Sequence, residues 1–261
     1  MSTIDAIILG IIQGATEFLP VSSSGHLILA RSVFHISDDG GLVFDVLLHL
    51  ATALAILVYF RLDIINVVQG VVRNDRRSVR FMILILIAII PAGLAGYFLE
   101  HTIETYFRSP ILVAVMLCVG SVIFFLAEKK HTKDTYVATI PSTRTALSIG
   151  FWQVLALLPG TSRSGITISG GMLGGLSRTG AARFSFLMGF PLVVAAGIKG
   201  LFELDDAGPY NIMPLIFGCV AALVVGLLTI TALMRLFETH SLKPFIYYRI
   251  ILAMLILMSL I

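Results

Sequence analysis

A short pattern occurs twice in this chain, once in residues 9–26 and again in residues 149–166. Each copy is an apolar, helix-like run that breaks at a proline and ends in a loop of serines and glycines. The duplication predicts two structurally related halves. Five residue pairs recur at one common spacing: Gly10 and Gly150, Gln13 and Gln153, Ser22 and Ser162, Ser24 and Ser164, Gly25 and Gly165.

The apolar runs that precede the two breaks cover residues 4–19 and 146–158. Both are shorter than the roughly 20 residues that cross a bilayer. The first run also contains Gln13 and Glu17. We therefore expect each run to form a re-entrant helix that enters the membrane, breaks and returns, with its open backbone buried in protein.

The composition is that of a membrane protein. The chain has 261 residues, of which 57% are hydrophobic and only 13% are charged, and its mean hydropathy is +0.99. A soluble domain carries about a quarter charged residues. The net charge of +3 gives no indication of nucleic-acid binding. Cys118 and Cys219 lie in apolar runs, so neither indicates a disulfide or a metal site.

Six apolar runs are long enough to cross a membrane. The sequence thus predicts an all-α polytopic membrane protein with about six transmembrane helices and two re-entrant helix-loop-helix segments. The six runs are residues 42–60, 81–99, 111–127, 184–203, 213–234 and 245–261.

Loop charge predicts how the spans are oriented. Lysine and arginine concentrate in loops 61–80, 128–145 and 235–244, which we expect in the cytoplasm. Loops 100–110 and 204–212 are mainly acidic, so we expect them outside. Threading the spans in order places both termini outside.

In this threading, the first span of the first half begins outside the cell, and the first span of the second half begins in the cytoplasm. The two halves are therefore expected to form an inverted-topology repeat. We expect one integral membrane domain over residues 1–261, with halves at about 1–127 and 146–261 and a connector at 128–145.

Gln13 and Glu17 are four residues apart and share one face of a helix. A carboxylate inside an apolar segment costs about 2.5 kcal/mol or more unless it is solvated or paired. We therefore expect Glu17 to have a metal ion or a cationic partner. The alternative is an interfacial Glu17 that reaches water.

The first loop places three serines, Ser22, Ser23 and Ser24, before Gly25 and His26. A hydroxyl beside an imidazole can be a nucleophile with its base. The backbone N–H groups of such a loop can also hold an anion where a helix begins. The alternative is structural, with Ser24 as the N-cap of a helix that begins near His26.

The second loop contains Arg163 between Ser162 and Ser164, followed by Gly165. The planar guanidinium matches two phosphate oxygens at once, so this loop predicts a phosphate site. The alternative is a structural arginine paired with Glu17, which would also bring the two loops together.

Asp45 and His49 are four residues apart within the first predicted span. Ionisable residues inside a membrane are candidates for function. The alternative is that they pair only with each other. Arg178 and Arg183 lie in a short loop and are expected to be ordinary cytoplasmic positive charges.

The two motifs, GIIQGATEFLPVSSSGH and LPGTSRSGITISGGML, resemble the undecaprenyl-pyrophosphate phosphatase family, also called the bacitracin-resistance family. The resemblance covers nearly the whole chain. It implies a bacterial plasma-membrane enzyme that removes the terminal phosphate of undecaprenyl diphosphate at the outer face and so recycles the lipid carrier for cell-wall synthesis. It also implies a divalent cation, magnesium or calcium.

Carried over by position, the resemblance implies roles for single residues. Glu17 resembles the second acid of the family's acidic motif, and Gln13 stands where many relatives have glutamate, so these two would be the metal ligands. Ser23 and His26 resemble a nucleophile and its base, with Ser23, His26 or water as the attacking group. Arg163 resembles a phosphate clamp. The substrate-binding residues would be Ser22, Ser24, Gly25, Ser162, Ser164 and Gly165.

The competing hypothesis is a secondary transporter or lipid flippase, because inverted repeats with broken helices are common among transporters. A transporter does not need a hydroxyl and an imidazole beside an arginine loop, whereas a phosphatase does. The expected partners are a polyprenyl diphosphate and the bilayer, without nucleic acid. A homodimer is left open.

Overall fold

The computed structural model describes residues 1–36, 41–107, 109–130, 138–202 and 212–258. These residues form eleven α-helices, and one isolated β-bridge joins Ala138 to Leu176. The predicted all-α class is confirmed. The helices are α1 (Thr3–Phe18), α2 (Ser23–Val33), α3 (Gly41–Tyr59), α4 (Arg61–Val72), α5 (Arg76–Tyr106), α6 (Pro110–Lys130), α7 (Thr143–Leu155), α8 (Arg163–Leu173), α9 (Arg178–Phe202), α10 (Ile212–Thr239) and α11 (Lys243–Met258).

Four of the described helices are long and apolar enough to cross a membrane, namely α5, α6, α9 and α10. Helices α3 and α4 meet the same condition only together, and they bend by 72° at the break between them. Helix α11 coincides with the last predicted span but has only 16 described residues. The described part of the chain thus has four or five candidate spans, as expected of a multi-pass membrane protein.

Polar side chains fix where several helices begin. The side chain of Ser2 accepts from the backbone N–H of Asp5 and that of Ser142 accepts from Thr145 N, at the starts of α1 and α7. Asp75 caps α5 by accepting from the backbone N–H and the hydroxyl of Ser78, and these bonds lower the pKa of the Asp75 carboxyl. Such caps satisfy N–H groups that lack a partner within the helix.

Helices α2 and α8 occupy equivalent places in the duplicated pattern. Each has 11 residues and begins directly after a serine with a left-handed backbone, Ser22 at φ 77° and Ser162 at φ 72°. The predicted N-cap at Ser24 is wrong, because Ser22 occupies that position and Ser24 lies in the first turn of α2. A left-handed conformation costs a non-glycine residue about 1–3 kcal/mol, so both breaks are imposed by the surrounding packing.

Glycines bring α1 and α7 against long neighbouring helices. A Cβ on Gly10 would overlap the carbonyl of Gly218 in α10, and one on Gly150 would lie 2.6 Å from the carbonyl oxygen of Ala88 in α5. The two short helices therefore pack backbone to backbone, each on a helix of the other half of the sequence.

The main apolar core surrounds the ends of these short helices. Phe18, the last residue of α1, packs edge-to-face on Phe186 of α9 with ring centroids 5.6 Å apart. Phe124 of α6 is fully buried and fills the space over Gly165, where a Cβ would overlap its ring. The aromatic core thus holds both loops in place.

Arg178 and Arg183 at the start of α9 are ion-paired, and the prediction that they are ordinary loop charges is wrong. Arg178 binds both carboxylate oxygens of Glu128 at 2.8 and 2.6 Å, and Arg183 pairs with Asp63. The sequence could not reveal these pairs because their partners lie 50 and 120 positions away.

Candidate active site

Glu17 is the centre of a polar cluster that both loops form. Its side chain is only 6% exposed. Arg163 Nη2 donates to Oε1 at 2.7 Å, while Ser23 Oγ at 2.7 Å and Gln13 Nε2 at 3.1 Å donate to Oε2. The structure therefore brings together four residues that the sequence singled out, namely Gln13, Glu17, Ser23 and Arg163. The pairing of Arg163 with Glu17 is one of the two alternatives given above for Arg163.

Arg163 reaches Glu17 because of its place in the fold. It is the first residue of α8, and its guanidinium lies against Gly189 of α9, where a Cβ would overlap Nη1. Nη1 is buried and has no hydrogen-bond partner within the part of the chain that the structure describes. One guanidinium nitrogen thus holds Glu17, and a second has no acceptor among the described residues.

Ser23 and His26 are not hydrogen-bonded to each other as the sequence suggested. The Ser23 hydroxyl donates to Glu17 instead. The ring of His26 lies between the carbonyl oxygen of Ser22, 2.7 Å from Nδ1, and the hydroxyl of Tyr248, 2.6 Å from Nε2. The residue that can accept the Ser23 proton is therefore Glu17. The catalytic roles of Ser23 and His26 remain predictions.

These contacts determine the tautomer of a neutral His26. A backbone carbonyl only accepts hydrogen bonds, so Nδ1 carries the hydrogen and donates to Ser22. Nε2 then holds the lone pair and accepts from the Tyr248 hydroxyl. The single basic atom of His26 is thus engaged by a residue of α11.

His49 belongs to the same cluster, which rules out the alternative that Asp45 and His49 pair only with each other. Its Nε2 lies 3.6 Å from Glu17 Oε2, while its Nδ1 lies 2.7 Å from the backbone carbonyl oxygen of Asp45. The Asp45 carboxylate instead binds Arg31, with the shorter contact at 2.6 Å. The sequence marked Asp45 and His49 as candidates, but it could not show that only His49 faces Glu17.

The remaining serines join the loop backbones. Ser164 Oγ donates to the carbonyl oxygen of Leu19 at 3.3 Å, which connects the second loop directly to the first. Ser162 Oγ accepts from the backbone N–H of Gly165 at 3.3 Å. Ser22 and Ser24 contact each other through their hydroxyls. Their predicted role in binding substrate is not tested by these contacts.

Sequence analysis missed Arg249, which is fully buried in α11. Its guanidinium donates to backbone carbonyls of α6 and to those of Gly160 and Pro20, at the breaks of the two loops. It also lies over the Phe124 ring, 4.8 Å from the centroid. An arginine inside the predicted span 245–261 was the available signal, because a charge there needs partners.

Comparison with known proteins identifies the family. The family model of the bacitracin resistance protein BacA matches residues 6–255. The chain belongs to this family. Proteins named undecaprenyl-diphosphatase from Trichlorobacter lovleyi and Acinetobacter baumannii are 44% and 41% identical over 258 residues, covering 96% and 98% of this chain and 94% and 95% of theirs. Undecaprenyl-diphosphatase 3 of Acinetobacter baylyi is 39% identical over 254 residues, covering 97% of this chain and 96% of its own.

Membership of the bacitracin resistance family raises the question whether the site suits the divalent cation that the resemblance implies. Within the described residues, no group of three or more His, Cys, Asp or Glu side chains could hold a metal ion. The oxygens of Glu17 and Gln13 do suit a hard cation, and Gln13 Oε1 is buried with no partner in the described part of the protein. These oxygens therefore fit a cation that takes some of its ligands from the protein and the others from the phosphate oxygens of a substrate.

Proposed function

We propose that this chain hydrolyses undecaprenyl diphosphate to undecaprenyl phosphate and inorganic phosphate, which recycles the lipid carrier for cell-wall synthesis. The observation that carries the proposal is the meeting of Glu17, Ser23 and Arg163 from two loops that lie far apart in the sequence. The names of the related proteins support the same activity and do not favour a transporter or flippase.

Arg163 and the two helix starts would bind the diphosphate. Arg163 Nη1 has no acceptor among the residues that the structure describes, and guanidinium groups bind phosphate oxygens well. Helices α2 and α8 both begin at the loops, and the N-terminus of a helix attracts anions. The polyprenyl tail would lie along the exposed apolar side chains of the long helices.

Ser23 is the proposed nucleophile. Its Oγ would form a bond to the terminal phosphorus while the bond from that phosphorus to the bridging oxygen breaks, which releases undecaprenyl phosphate. The hydroxyl proton would pass to Glu17 Oε2, which already accepts it in a hydrogen bond of 2.7 Å. Arg163 would stabilise the charge that develops on the phosphoryl oxygens.

Water would complete the reaction. It attacks the phosphoserine, the bond from phosphorus to Ser23 Oγ breaks, and Ser23 regains its proton from Glu17. The proton released by the water would go to Nε2 of His26, the one basic atom of that ring, when the Tyr248 hydroxyl gives up its hydrogen bond to it, and then to bulk water. His26 is three residues after Ser23 in α2, so both side chains lie on one face of the helix.

A divalent cation would be held by Glu17 and Gln13 together with the phosphate oxygens of the substrate. When bound, it would neutralise part of the charge on the diphosphate. The buried oxygen of Gln13, which has no partner within the described ranges, supports this assignment.

We further propose six spans and two re-entrant segments, α1–α2 and α7–α8, arranged as an inverted repeat. The supporting observations are the equal lengths of α2 and α8 and the shared backbone conformation of Ser22 and Ser162. The close packing of Gly10 on α10 and of Gly150 on α5 is also equivalent in the two halves. The protein would lie in the bacterial plasma membrane, with its site open to the outer face.

Phosphate release tests the function. Purified protein in detergent is mixed with undecaprenyl diphosphate and a magnesium salt, and inorganic phosphate is measured with and without excess chelator. We expect one phosphate per lipid, and its loss with chelator. Glu17→Gln should be inactive, whereas Glu238→Gln, which changes an exposed carboxylate, should not. No release by the wild-type protein would contradict the proposal, and full activity in chelator would remove the cation from it.

A further inference from the structure

Tyr248 of α11 is a partner of His26 that the sequence motifs did not suggest. Its hydroxyl lies 2.6 Å from His26 Nε2, and the two rings are nearly parallel, with centroids 5.6 Å apart. Because Nδ1 donates to the Ser22 carbonyl, Nε2 can only accept, and the tyrosine must be the donor. Both ring nitrogens of His26 are thereby fixed.

The position of Tyr248 is determined by its neighbour Arg249. Arg249 is fully buried and donates to the carbonyl oxygens of Leu117 at 3.1 Å and Gly160 at 3.1 Å, and to that of Pro20 at 3.5 Å. These acceptors lie in α6 and at the two loop breaks. Rotation or sliding of α11 would break all three contacts, so the register of Tyr248 beside the first loop is fixed.

Tyr248 is 45% exposed, whereas Tyr247 is 64% exposed and makes no hydrogen bond within the described part of the chain. Tyr248 therefore contacts His26 on one side and stays open to incoming groups on the other. A tyrosine hydroxyl can donate to the imidazole at rest and can release it when another proton source arrives.

We propose that Tyr248 is a positioning residue for His26: at rest its hydroxyl occupies the Nε2 lone pair and fixes the ring, and it releases that lone pair to water when the phosphoserine is hydrolysed. The inference rests on the proposed phosphatase function. Within that function, Tyr248 acts on the step in which His26 takes a proton from water, and Arg249 acts only by holding α11. Tyr248 itself would not contact the phosphates.

The experiment compares Tyr248→Phe with the neighbouring control Tyr247→Phe. Each removes one hydroxyl and keeps the ring, so both proteins should fold. Phosphate release gives kcat and KM, and 15N spectra of protein labelled at histidine report the hydrogen bond at His26 Nε2. The His26 resonances are assigned by their absence in His26→Gln.

We expect Tyr248→Phe to lower kcat roughly three- to tenfold, the effect of losing one neutral hydrogen bond. KM should stay within about twofold, because substrate binding is unchanged. The Nε2 resonance should move in Tyr248→Phe and not in Tyr247→Phe.

An unchanged kcat, an unmoved Nε2 resonance or an effect on KM alone would overturn the proposal. An effect on KM alone would make Tyr248 a substrate contact. If the wild-type protein releases no phosphate, the proposed function fails. The nitrogen spectra would still decide whether Tyr248 holds His26.

Discussion

Arg163 donates a hydrogen bond of 2.7 Å to Glu17, although 146 positions separate the two residues. The pair connects the first residue of α8 to the end of α1, so neither half of the sequence builds the cluster alone. A buried ion pair contributes little net stability because both charges lose their hydration. Its more important effect is to hold the Glu17 carboxylate where both the Arg163 guanidinium and the Ser23 hydroxyl donate to it.

Replacement of Arg163 by lysine should abolish most activity. An ammonium is a point charge and cannot hold Glu17 and a phosphate oxygen at once with a planar fork. We expect a loss of roughly 100-fold in kcat, as for removal of a donor to a developing anion. The measurement is phosphate release, with Arg183→Lys as the control because Arg183 pairs with Asp63 outside this cluster. Activity of Arg163→Lys within about twofold of wild type would contradict the assignment.

Gly189→Ala should have a similar effect without touching a polar group. A Cβ at this position would overlap Arg163 Nη1, so the guanidinium must move away from Glu17. We expect a loss of at least about tenfold in kcat, since small displacements of catalytic groups reduce rates strongly. The control is Gly93→Ala, because a Cβ on Gly93 would meet nothing within 4 Å. Equal activities of the two variants would show that the position of Arg163 is not important.

Much of the fold could be predicted from the sequence, because hydrophobic length and loop breaks are local signals. Each of the six predicted apolar runs coincides with a described helix or most of one. The duplicated motifs also marked the breaks at Ser22 and Ser162. The separate helix α4 was not foreseen, because it lies within the arginine-rich stretch 61–80, which was interpreted as one loop.

The contacts within the site were less predictable, since they join residues that are distant in sequence. A spacing of three residues favoured Ser23 with His26, but Glu17 binds Ser23 and Tyr248 binds His26. The i, i+4 spacing likewise favoured Asp45 with His49. Which partner each of these side chains contacts depends on which helix packs beside it, and a local sequence pattern does not show that packing.

Gly25 and Gly165 occupy equivalent positions in the two motifs but should respond differently to substitution. A Cβ on Gly165 would overlap the buried Phe124 ring, whereas one on Gly25 would lie 3.4 Å from Val113. Gly165→Ala should therefore lower the melting temperature in detergent by several degrees, since an overpacked core costs about 1–3 kcal/mol. Gly25→Ala should melt within about a degree or two of wild type, as for a change worth under 0.5 kcal/mol. The reverse order of melting temperatures would contradict the described packing.

Cysteine labelling tests the inverted topology. Cys118 and Cys219 are first replaced by serine, and single cysteines are placed at Ser109 and Arg77, which are both exposed. The charge pattern predicts that Ser109→Cys reacts with an impermeant maleimide from outside the cell, and that Arg77→Cys reacts only after the membrane is opened. Labelling of both from the same side would overturn the predicted orientation.

Trapping of the intermediate tests most directly whether the two loops form one reaction centre in which Ser23 attacks phosphorus. Wild-type protein is mixed with undecaprenyl diphosphate labelled in the terminal phosphate, quenched within one turnover, and digested for mass spectrometry. We predict an acid-stable phosphate on Ser23 that is absent in Ser23→Ala and does not accumulate in Glu17→Gln. An acid-labile phosphate on His26, or normal turnover by Ser23→Ala, would contradict the account.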